Sequence, residues 1–258
     1  MNSDFGKKPF CNIKVLSKIS EGGYATVYRC LDMTLNKQIA LKVIKNKRSR
    51  ALLREMKFYE ALSKSNLPSY QEIALLRHPI SMEALIRLPL LGPDLSTIPS
   101  ETLVSEDYKL LKLLAVEAIA SLEEIHGFGI IHCDLKPENF CLLDSSPDCT
   151  KLRLIDFNIS ENYLVKDNKG ELVHREFKEG KGFSGNRRYA SANAHRGISQ
   201  SRRDDLESLS YMLVFLADKK LPWQGIKNKN VSDLHRELSE IKSLTSAKQL
   251  CKGLPEAF

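Results

Sequence analysis

The sequence has few of the features that mark secreted, metal-binding or membrane-spanning proteins. Its six cysteines form no Cys-x-x-Cys pair, so the sequence indicates neither a zinc site nor a secreted disulfide framework. It contains no apolar run of about eighteen residues, and residues 1–9 lack the apolar core of a signal peptide. We therefore expect reduced thiols, a location in the cytoplasm with the nucleus as a second site, and no membrane partner.

Aromatic residues are also scarce, at 7% of the chain with a single tryptophan. No aromatic-interleaved nucleic-acid-binding motif accompanies the scattered lysines and arginines. The formal net charge of +7 therefore favours acidic partners reached by electrostatic steering, and nucleic acid is only a third candidate ligand. The basic run at residues 45–50 is interpreted as a solvated loop, with a nuclear-localisation signal as the alternative.

The polar residues that are present concentrate in one stretch, residues 130–140. A carboxylate at Asp134, a cation at Lys136 and a carboxamide at Asn139 lie between apolar flanks that we expect to be buried as short strands. A loop anchored at both ends in this way keeps polar groups in fixed positions. Further along, Asp156 follows a second strand-like apolar segment, residues 152–155.

The first part of the chain predicts a small sheet. Residues 12–19, 25–31 and 38–44 alternate in the manner of half-buried antiparallel strands, and residues 84–88 are a further strand candidate. Residues 51–63 repeat their apolar positions with helical period. Lys42 lies among aliphatic residues of the third strand, and Glu55 lies on the helix, where the residues alone indicate a surface ion pair with a nearby basic residue.

Taken in this order, the segments around residues 20–27, 42, 134 and 156 resemble the signature of protein kinases. The resemblance implies an α+β, bilobal protein kinase fold. It has a small antiparallel β-sheet N-lobe with one helix and a mainly helical C-lobe. The implied boundaries are a tail at 1–9 and a kinase domain at 10–258, in which the N-lobe covers about 10–88, the hinge 89–92 and the C-lobe about 93–258.

The same resemblance implies ATP and Mg²⁺ as cofactors and gives each polar residue a role. Asp134 would accept the proton of the substrate hydroxyl, Lys136 would neutralise the γ-phosphate, and Asn139 and Asp156 would be the magnesium ligands. The other implied nucleotide-binding residues are Lys42 with Glu55 at the phosphates, Ser20, Gly22 and Val27 in the turn over them, and Pro89 and Leu91 at the adenine. Instead of a surface ion pair, the resemblance thus implies that Glu55 pairs with Lys42.

Three segments, residues 188–208, 221–225 and 250–253, closely resemble the casein kinase I family of Ser/Thr kinases. This family has Ser-Ile-Asn where most kinases have Ala-Pro-Glu, and here the triplet is Ser191-Ala-Asn193. The likeness implies a monomer acting on protein substrates with acidic or already phosphorylated serine and threonine regions. Lys181 and Arg188 are the implied anion site.

The chain departs from the family at several positions. Cys133 replaces the catalytic-loop arginine, Asn158 replaces the glycine of Asp-Phe-Gly, and Ser20 and Ala25 replace the outer glycines of the nucleotide loop. The chain also stops at Phe258, where the family continues into further helices. The replacements in the nucleotide loop, at Cys133 and at Asn158 leave open the alternative of a pseudokinase, a nucleotide-binding or scaffolding module without turnover. We expect Asn158 to adopt the positive φ that glycine would have.

Four further expectations concern the second half of the chain. A helix apolar nearly all round should begin at Ser105 as N-cap and end at Gly127. Residues 156–191 should have little regular structure and form an activation segment. A helix beginning near residue 201 should present Asp205 beneath the catalytic loop, and His132 should support that loop rather than act as a base.

Overall fold

The computed structural model of the chain describes residues 12–22, 25–45, 50–64, 70, 72–77, 84–228 and 230–256. By their contacts they divide into two compact units, Met1–Leu91 and Gly92–Phe258. None of the helices formed by these described residues combines the length and apolarity needed to cross a bilayer.

The described residues of the first unit form an antiparallel five-stranded sheet and one helix. The sequence predicts the helix and four of these strands, and does not predict the strand at residues 74–77. The strands occur in the order β1-β2-β3-β5-β4, and their inner side chains, among them Ile39, Leu41 and Leu85, form a hydrophobic core. The helix buries Phe58, Tyr59 and Leu62. The bounds are β1 (Ile13–Glu21), β2 (Ala25–Asp32), β3 (Lys37–Ile44), α1 (Arg50–Ser63), β4 (Ala74–Arg77) and β5 (Ala84–Pro89).

The second unit is mainly helical and carries three small two-stranded sheets. Its elements are α2 (Ser100–Gly127), β6 (Ile130–Ile131), β7 (Phe140–Leu142), β8 (Leu152–Leu154), β9 (Glu161–Asn162), β10 (Leu164–Lys166), β11 (Leu172–His174), α3 (Ala192–His195), α4 (Arg202–Asp218), α5 (Val231–Leu244) and α6 (Ala247–Leu250). With the five-stranded sheet of the first unit, this composition confirms the α+β fold class.

The expected start of α2 at Ser105 is wrong. The range Ser100–Gly127 combines two helices, because residues Ser105–Tyr108 depart from helical backbone angles and separate a short first helix from the long helix that follows Tyr108. The Ser105 hydroxyl donates to the carbonyl of Thr102 at 2.8 Å, whereas an N-cap side chain would accept from the following turn. The left-handed glycine after the helix is Gly129 (φ 76°) rather than Gly127, and its N–H donates to the His126 carbonyl.

The helix that we expect to be apolar nearly all round is buried along one face only. One face, which includes Leu111, Leu114 and Leu122, is fully buried. On the opposite face Val116 is 63% exposed within the described part of the chain, and Leu113 and Ile119 are about half exposed. Apolar composition does not reveal which face of a helix has neighbours.

The segment from 156 to 191 contains more regular structure than expected. β9 pairs with β6, and β10 forms an antiparallel hairpin with β11 in which Val165 lies opposite Val173. Strands of two or three residues are too short to display the alternation on which strand prediction depends.

Candidate active site

The loop between β6 and β7 is anchored by one buried carboxylate. Asp205, in the first turn of α4, accepts hydrogen bonds from the backbone N–H groups of His132 (2.8 Å) and Cys133 (2.9 Å). It also lies 2.8 Å from Nε2 of His126, which is near the end of α2. The expected position of Asp205 beneath the loop is confirmed. This anchor allows Cys133 to keep a left-handed backbone (φ 67°).

His132 supports the same loop from inside. Its imidazole is fully buried, with Nε2 3.0 Å from the Ile155 carbonyl and Nδ1 3.3 Å from the Asp134 N–H. These partners fix the tautomer, because Nε2 must donate to a carbonyl and Nδ1 must accept from an amide. The ring also contacts Phe157 edge-on, at 5.2 Å between centroids. With both nitrogens occupied, His132 is a structural residue of the loop.

The three polar residues predicted from the loop are brought together. Lys136 Nζ lies 2.7 Å from Asp134 Oδ2, and the Asn139 amide nitrogen donates to the Asp134 carbonyl at 2.8 Å. Asp134 is largely buried, with a side chain 10% exposed. A carboxylate with an ammonium beside it and little solvent around it is well placed to accept a proton from a hydroxyl group.

Asp156 reaches this loop through strand pairing. β7 and β8 are antiparallel with Phe140 opposite Leu154, and the Ile155 N–H donates to the Asn139 carbonyl at 2.9 Å. Asp156 therefore follows directly after a residue bonded to Asn139. A carboxylate and an amide oxygen are donors that Mg²⁺ prefers, so this pair fits a magnesium ion.

The expected positive φ at Asn158 is wrong. Of the described residues in this triplet, Asp156 has the left-handed backbone, at φ 71°. Asp156 therefore has the unfavourable backbone conformation of this turn. Asn158 does not need the tolerance of positive φ that asparagine has. The Asn158 amide oxygen is buried and accepts no hydrogen bond from the described residues.

The predicted ion pair in the first unit is formed. Lys42 Nζ lies 2.5 Å from Glu55 Oε1, and both side chains are mostly buried, at 12% and 3% exposed. Lys42 is on β3 directly opposite Val27 on β2. A buried lysine that already has a carboxylate partner is fixed in position for a further anionic ligand.

The remaining predicted nucleotide-binding residues lie at the margins of the same sheet. Ser20 pairs with Val27, and the Gly22 N–H donates to the Ala25 carbonyl at 2.9 Å, so the turn between β1 and β2 is closed at its base. Residues 23 and 24 at its tip lie outside the described residues. Pro89 ends β5 opposite Ile39, and Leu91 is the last residue of the first unit.

A family model described as the protein kinase domain matches residues 13–254. The chain belongs to the protein kinase family. The match includes residues 132–139, which we expect to be the catalytic loop, and residues 156–191, which we expect to be the activation segment.

The activation segment of this kinase domain closes against the catalytic loop at a glycine that the sequence analysis did not single out. Gly185 has φ 119°, and a Cβ atom there would lie 2.7 Å from the Cys133 carbonyl and 4.0 Å from Asp134 Oδ1. Only glycine fits this approach. The sequence signal was weak, because Gly185 lies in a glycine-rich and lysine-rich stretch with no periodicity.

The two cations of the predicted anion site have different partners in the kinase domain. Lys181 Nζ is 2.9 Å from Glu161 Oε2, and the Arg175 guanidinium contacts the same carboxylate at 2.5 Å. Burial acts to raise the pKa of Glu161, but hydrogen bonds from Lys181 and Arg175 outweigh it and the pKa is lowered. Lys181 thus has an internal anion as its partner, which the sequence analysis did not foresee.

Arg188, the second cation, has aromatic partners. Its guanidinium stacks over Phe215, at 4.6 Å from the ring centroid, and over Tyr189, at 5.7 Å. It lines a cavity of about 550 Å³, and the described residues around this cavity do not include Lys181. The cavity lining is basic and polar and includes Arg187, Arg188, Trp223, Gln224, Lys227 and Asn228.

Proposed function

We propose that the protein is an ATP- and Mg²⁺-dependent protein serine/threonine kinase of casein kinase I type that prefers acidic or already phosphorylated substrates. The observation that carries the proposal is the group formed by Asp134, Lys136 and Asn139, adjacent to Asp156 and anchored by Asp205. Phosphoryl transfer requires aligned charges more than covalent chemistry from the protein, and this group provides them.

Each residue of the group has one role in the proposed reaction. The Asp134 carboxylate orients the substrate hydroxyl and accepts its proton, and the Lys136 ammonium neutralises charge on the γ-phosphate. Asn139 and Asp156 would be the protein ligands of magnesium, which supplies positive charge between the phosphates. In the first unit, Lys42 binds the α- and β-phosphates while Glu55 fixes its position.

The basic cavity at Arg188 supports the preference for anionic substrates. A guanidinium that stacks on Phe215 loses little freedom when it binds, and its edge can donate two parallel hydrogen bonds to a phosphate or carboxylate. Arg187 and Lys227 add positive charge to the same cavity. Lys181 contributes less, because Glu161 already neutralises it.

A pseudokinase that binds nucleotide or partners without turnover is the second candidate. Four replacements favour it: Ser20 and Ala25 in the nucleotide loop, Cys133 in the catalytic loop and Asn158 after Asp156. None of these four positions carries a group with a direct chemical role in the proposed reaction.

The decisive experiment is transfer of labelled γ-phosphate from Mg·ATP to casein, an acidic protein. We expect labelled phosphoserine or phosphothreonine. A thermal shift measured with Mg·ATP separates the alternatives, since a bound ligand raises the melting temperature whether or not turnover follows. A shift without transfer would support a pseudokinase that binds nucleotide. Neither shift nor transfer would contradict the kinase proposal and would leave only the pseudokinase that binds partners.

A further inference from the structure

A buried lysine on α5 contacts the backbone that carries Arg188. Lys242 is 3% exposed, and its Nζ donates to the carbonyls of Ala190 (2.5 Å), Arg187 (3.0 Å) and Arg188 (3.3 Å). The indole N–H of Trp223 also donates to the Arg188 carbonyl, at 2.7 Å. An ammonium is thus the centre of the contacts that fix the chain on both sides of this arginine.

The Lys242 amine also begins a row of side-chain contacts that continues through His195 to His235. Lys242 Nζ lies 3.1 Å from Nε2 of His195, and Nδ1 of His195 lies 2.9 Å from Nδ1 of His235. Phe183 stacks on both rings, at 4.7 Å and 4.3 Å between centroids. Nε2 of His195 also lies 3.3 Å from the Arg187 carbonyl, so it either accepts from Lys242, which leaves the ring proton on Nδ1 toward the partly exposed His235, or donates to that carbonyl. The row connects the buried amine to a partly exposed imidazole.

The charges around Lys242 leave its ammonium poorly compensated. Burial lowers its pKa to about 7, an effect that Glu207 opposes. Glu207 lies on α4 and already accepts from the Ala192 N–H (2.7 Å) and the Tyr211 hydroxyl (2.8 Å). Burial, with Lys242 and His235 as further causes, lowers the pKa of His195 to about 3, so that ring is neutral near pH 7.

The other groups facing the ammonium do not supply a negative charge. Trp223 and Tyr211 present ring faces to it at 4.9 Å and 5.3 Å, and burial raises the pKa of the Tyr211 phenol. Arg187 and Arg188 contribute carbonyl dipoles through their backbone and positive charge through their side chains. Burial lowers the pKa of His235 as well.

We propose that Lys242 is a positioning residue for the anion site, whose protonated amine orients the Arg187–Ala190 backbone and Arg188 for binding an acidic substrate side chain. The inference rests on the proposed function, since it takes Arg188 to be the group that binds the substrate anion. An ammonium has three donors and makes charge-assisted bonds, whereas a neutral amine has two donors and none of the charge. Loss of the proton should therefore weaken the preference for acidic peptides.

The direction of the pH effect distinguishes this role from unfolding. The pKa of Lys242 in the fold, about 7, is below its ordinary value of 10.5. Between these pH values the unfolded chain binds more protons than the native one, so this group makes the fold more stable as pH rises. The proposed role predicts that acidic peptides bind more weakly at higher pH, whereas this group makes the fold more stable there. Weaker binding at higher pH can therefore not be explained by unfolding.

The test measures binding, so it does not depend on turnover. Fluorescence anisotropy gives the dissociation constants of an Asp/Glu-rich serine peptide and a neutral serine peptide at pH 6 and pH 8, at constant ionic strength. Both peptides are acetylated at the N-terminus, because a free α-amino group would titrate in this range, and they therefore keep their charge. A group with a pKa of about 7 changes from about nine-tenths to about one-tenth protonated, so the affinity ratio of acidic to neutral peptide should fall by up to about ninefold.

Two variants assign this change to Lys242. Lys242→Arg carries a charge at both pH values, so its affinity ratio should not depend on pH. Lys242→Met carries no charge, so its affinity ratio of acidic to neutral peptide should be low at both pH values. Lys248→Met, at an exposed lysine of α6, is the matched control and should behave as the wild type. If Lys242→Met does not fold, the proposal is still tested by the affinity ratios of the wild type and of Lys242→Arg at the two pH values.

The possible failures are distinguishable. A wild-type ratio that favours the acidic peptide equally at pH 6 and pH 8, or a Lys242→Arg ratio that still falls with pH, would overturn the role of Lys242 and leave the anion site intact. If Arg188→Ala retained the full acidic preference, the anion site itself would be wrong and this inference would fall with it. Phosphate transfer to the neutral peptide reports separately on kinase activity.

Discussion

At the scale of single residues, Asp205 shows how much of the candidate active site depends on a group that performs no chemistry. Its two oxygens accept from the backbone of His132 and Cys133 and contact His126, and the side chain is 2% exposed. A buried carboxylate is stable only with several donors around it, and these donors fix the loop that carries Asp134.

Replacing Asp205 by alanine should therefore destabilise the fold. The two backbone N–H groups and the His126 ring would lose their acceptor in a buried place, and we expect the free energy of unfolding to fall by about 3 kcal/mol. Urea denaturation measures this. Asp218→Ala, at the exposed end of the same helix, should change it by less than about 0.5 kcal/mol. Equal effects of the two substitutions would show that Asp205 does not anchor the loop.

Asp134 and Asp156 should differ in what their loss removes. Asp134→Ala should lower the rate of phosphate transfer by about 10² to 10⁴ and leave nucleotide binding nearly intact, because a positioned base acts on the hydroxyl and not on ATP. Asp156→Ala should also abolish the magnesium-dependent part of ATP binding.

Transfer rates and calorimetric titration with Mg·ATP measure the two effects. The matched control is Asp148→Ala, at an exposed turn between β7 and β8. The kinase proposal would be wrong if all three variants transferred phosphate at the wild-type rate.

At the scale of elements, the activation segment carries its own counter-ion. Glu161 on β9 contacts Arg175, just after β11, and Lys181, further along the segment. One carboxylate thereby connects three parts of the segment, an arrangement that in many kinases requires a phosphate paired with the arginine of the catalytic loop. Cys133 occupies that arginine position and cannot make such a pair.

We therefore expect activity without phosphorylation of residues 156–191. Phosphatase treatment should leave the rate of phosphate transfer unchanged. Glu161→Gln should increase amide hydrogen exchange between residues 161 and 181, because the charge that attracts Arg175 and Lys181 is lost. Glu171→Gln, at an exposed position beside β11, is the control.

The pH dependence of this contact has a defined sign. The pKa of Glu161 in the fold is lowered from its ordinary value of 4.5. Its stabilising contribution is thus complete above that value and is lost as pH falls through the lower folded pKa. Hydrogen exchange of the segment should therefore show full protection at neutral pH. Inactivation by phosphatase at pH 7 would contradict the assignment of Glu161 as the internal counter-ion.

At the scale of the whole molecule, the formal net charge of +7 should influence encounters with acidic substrates. Salt screens such attraction over about 10 Å at 0.1 M ionic strength. Raising sodium chloride should increase the KM for an acidic peptide and leave the KM for a neutral peptide nearly unchanged. Steady-state kinetics with the two peptides measure this, and an equal increase for both would exclude a role of net charge in substrate choice.

Sequence patterns alone were enough to predict the class of fold and the location of the loop that carries the proposed chemistry. Alternation of apolar residues predicted β1, β2 and β3, helical period predicted α1, and the apolar flanks of residues 130–140 predicted β6 and β7. These signals are local, because strand and helix periodicity and short anchored loops are properties of neighbouring residues. The resemblance to kinase signatures then connected Lys42, Asp134 and Asp156.

Features that depend on residues far apart in the chain could be seen only in the folded protein. It showed which face of α2 is covered, placed the left-handed backbone at Asp156 instead of Asn158, paired Lys181 with Glu161 and buried Lys242 beneath Arg187–Ala190. In each case the deciding neighbour lies far along the chain or on another element. The sequence does not show whether the ammonium of a lysine faces water or, as in Lys242, three backbone carbonyls. Burial is what lowers the pKa of this lysine, and burial depends on the fold.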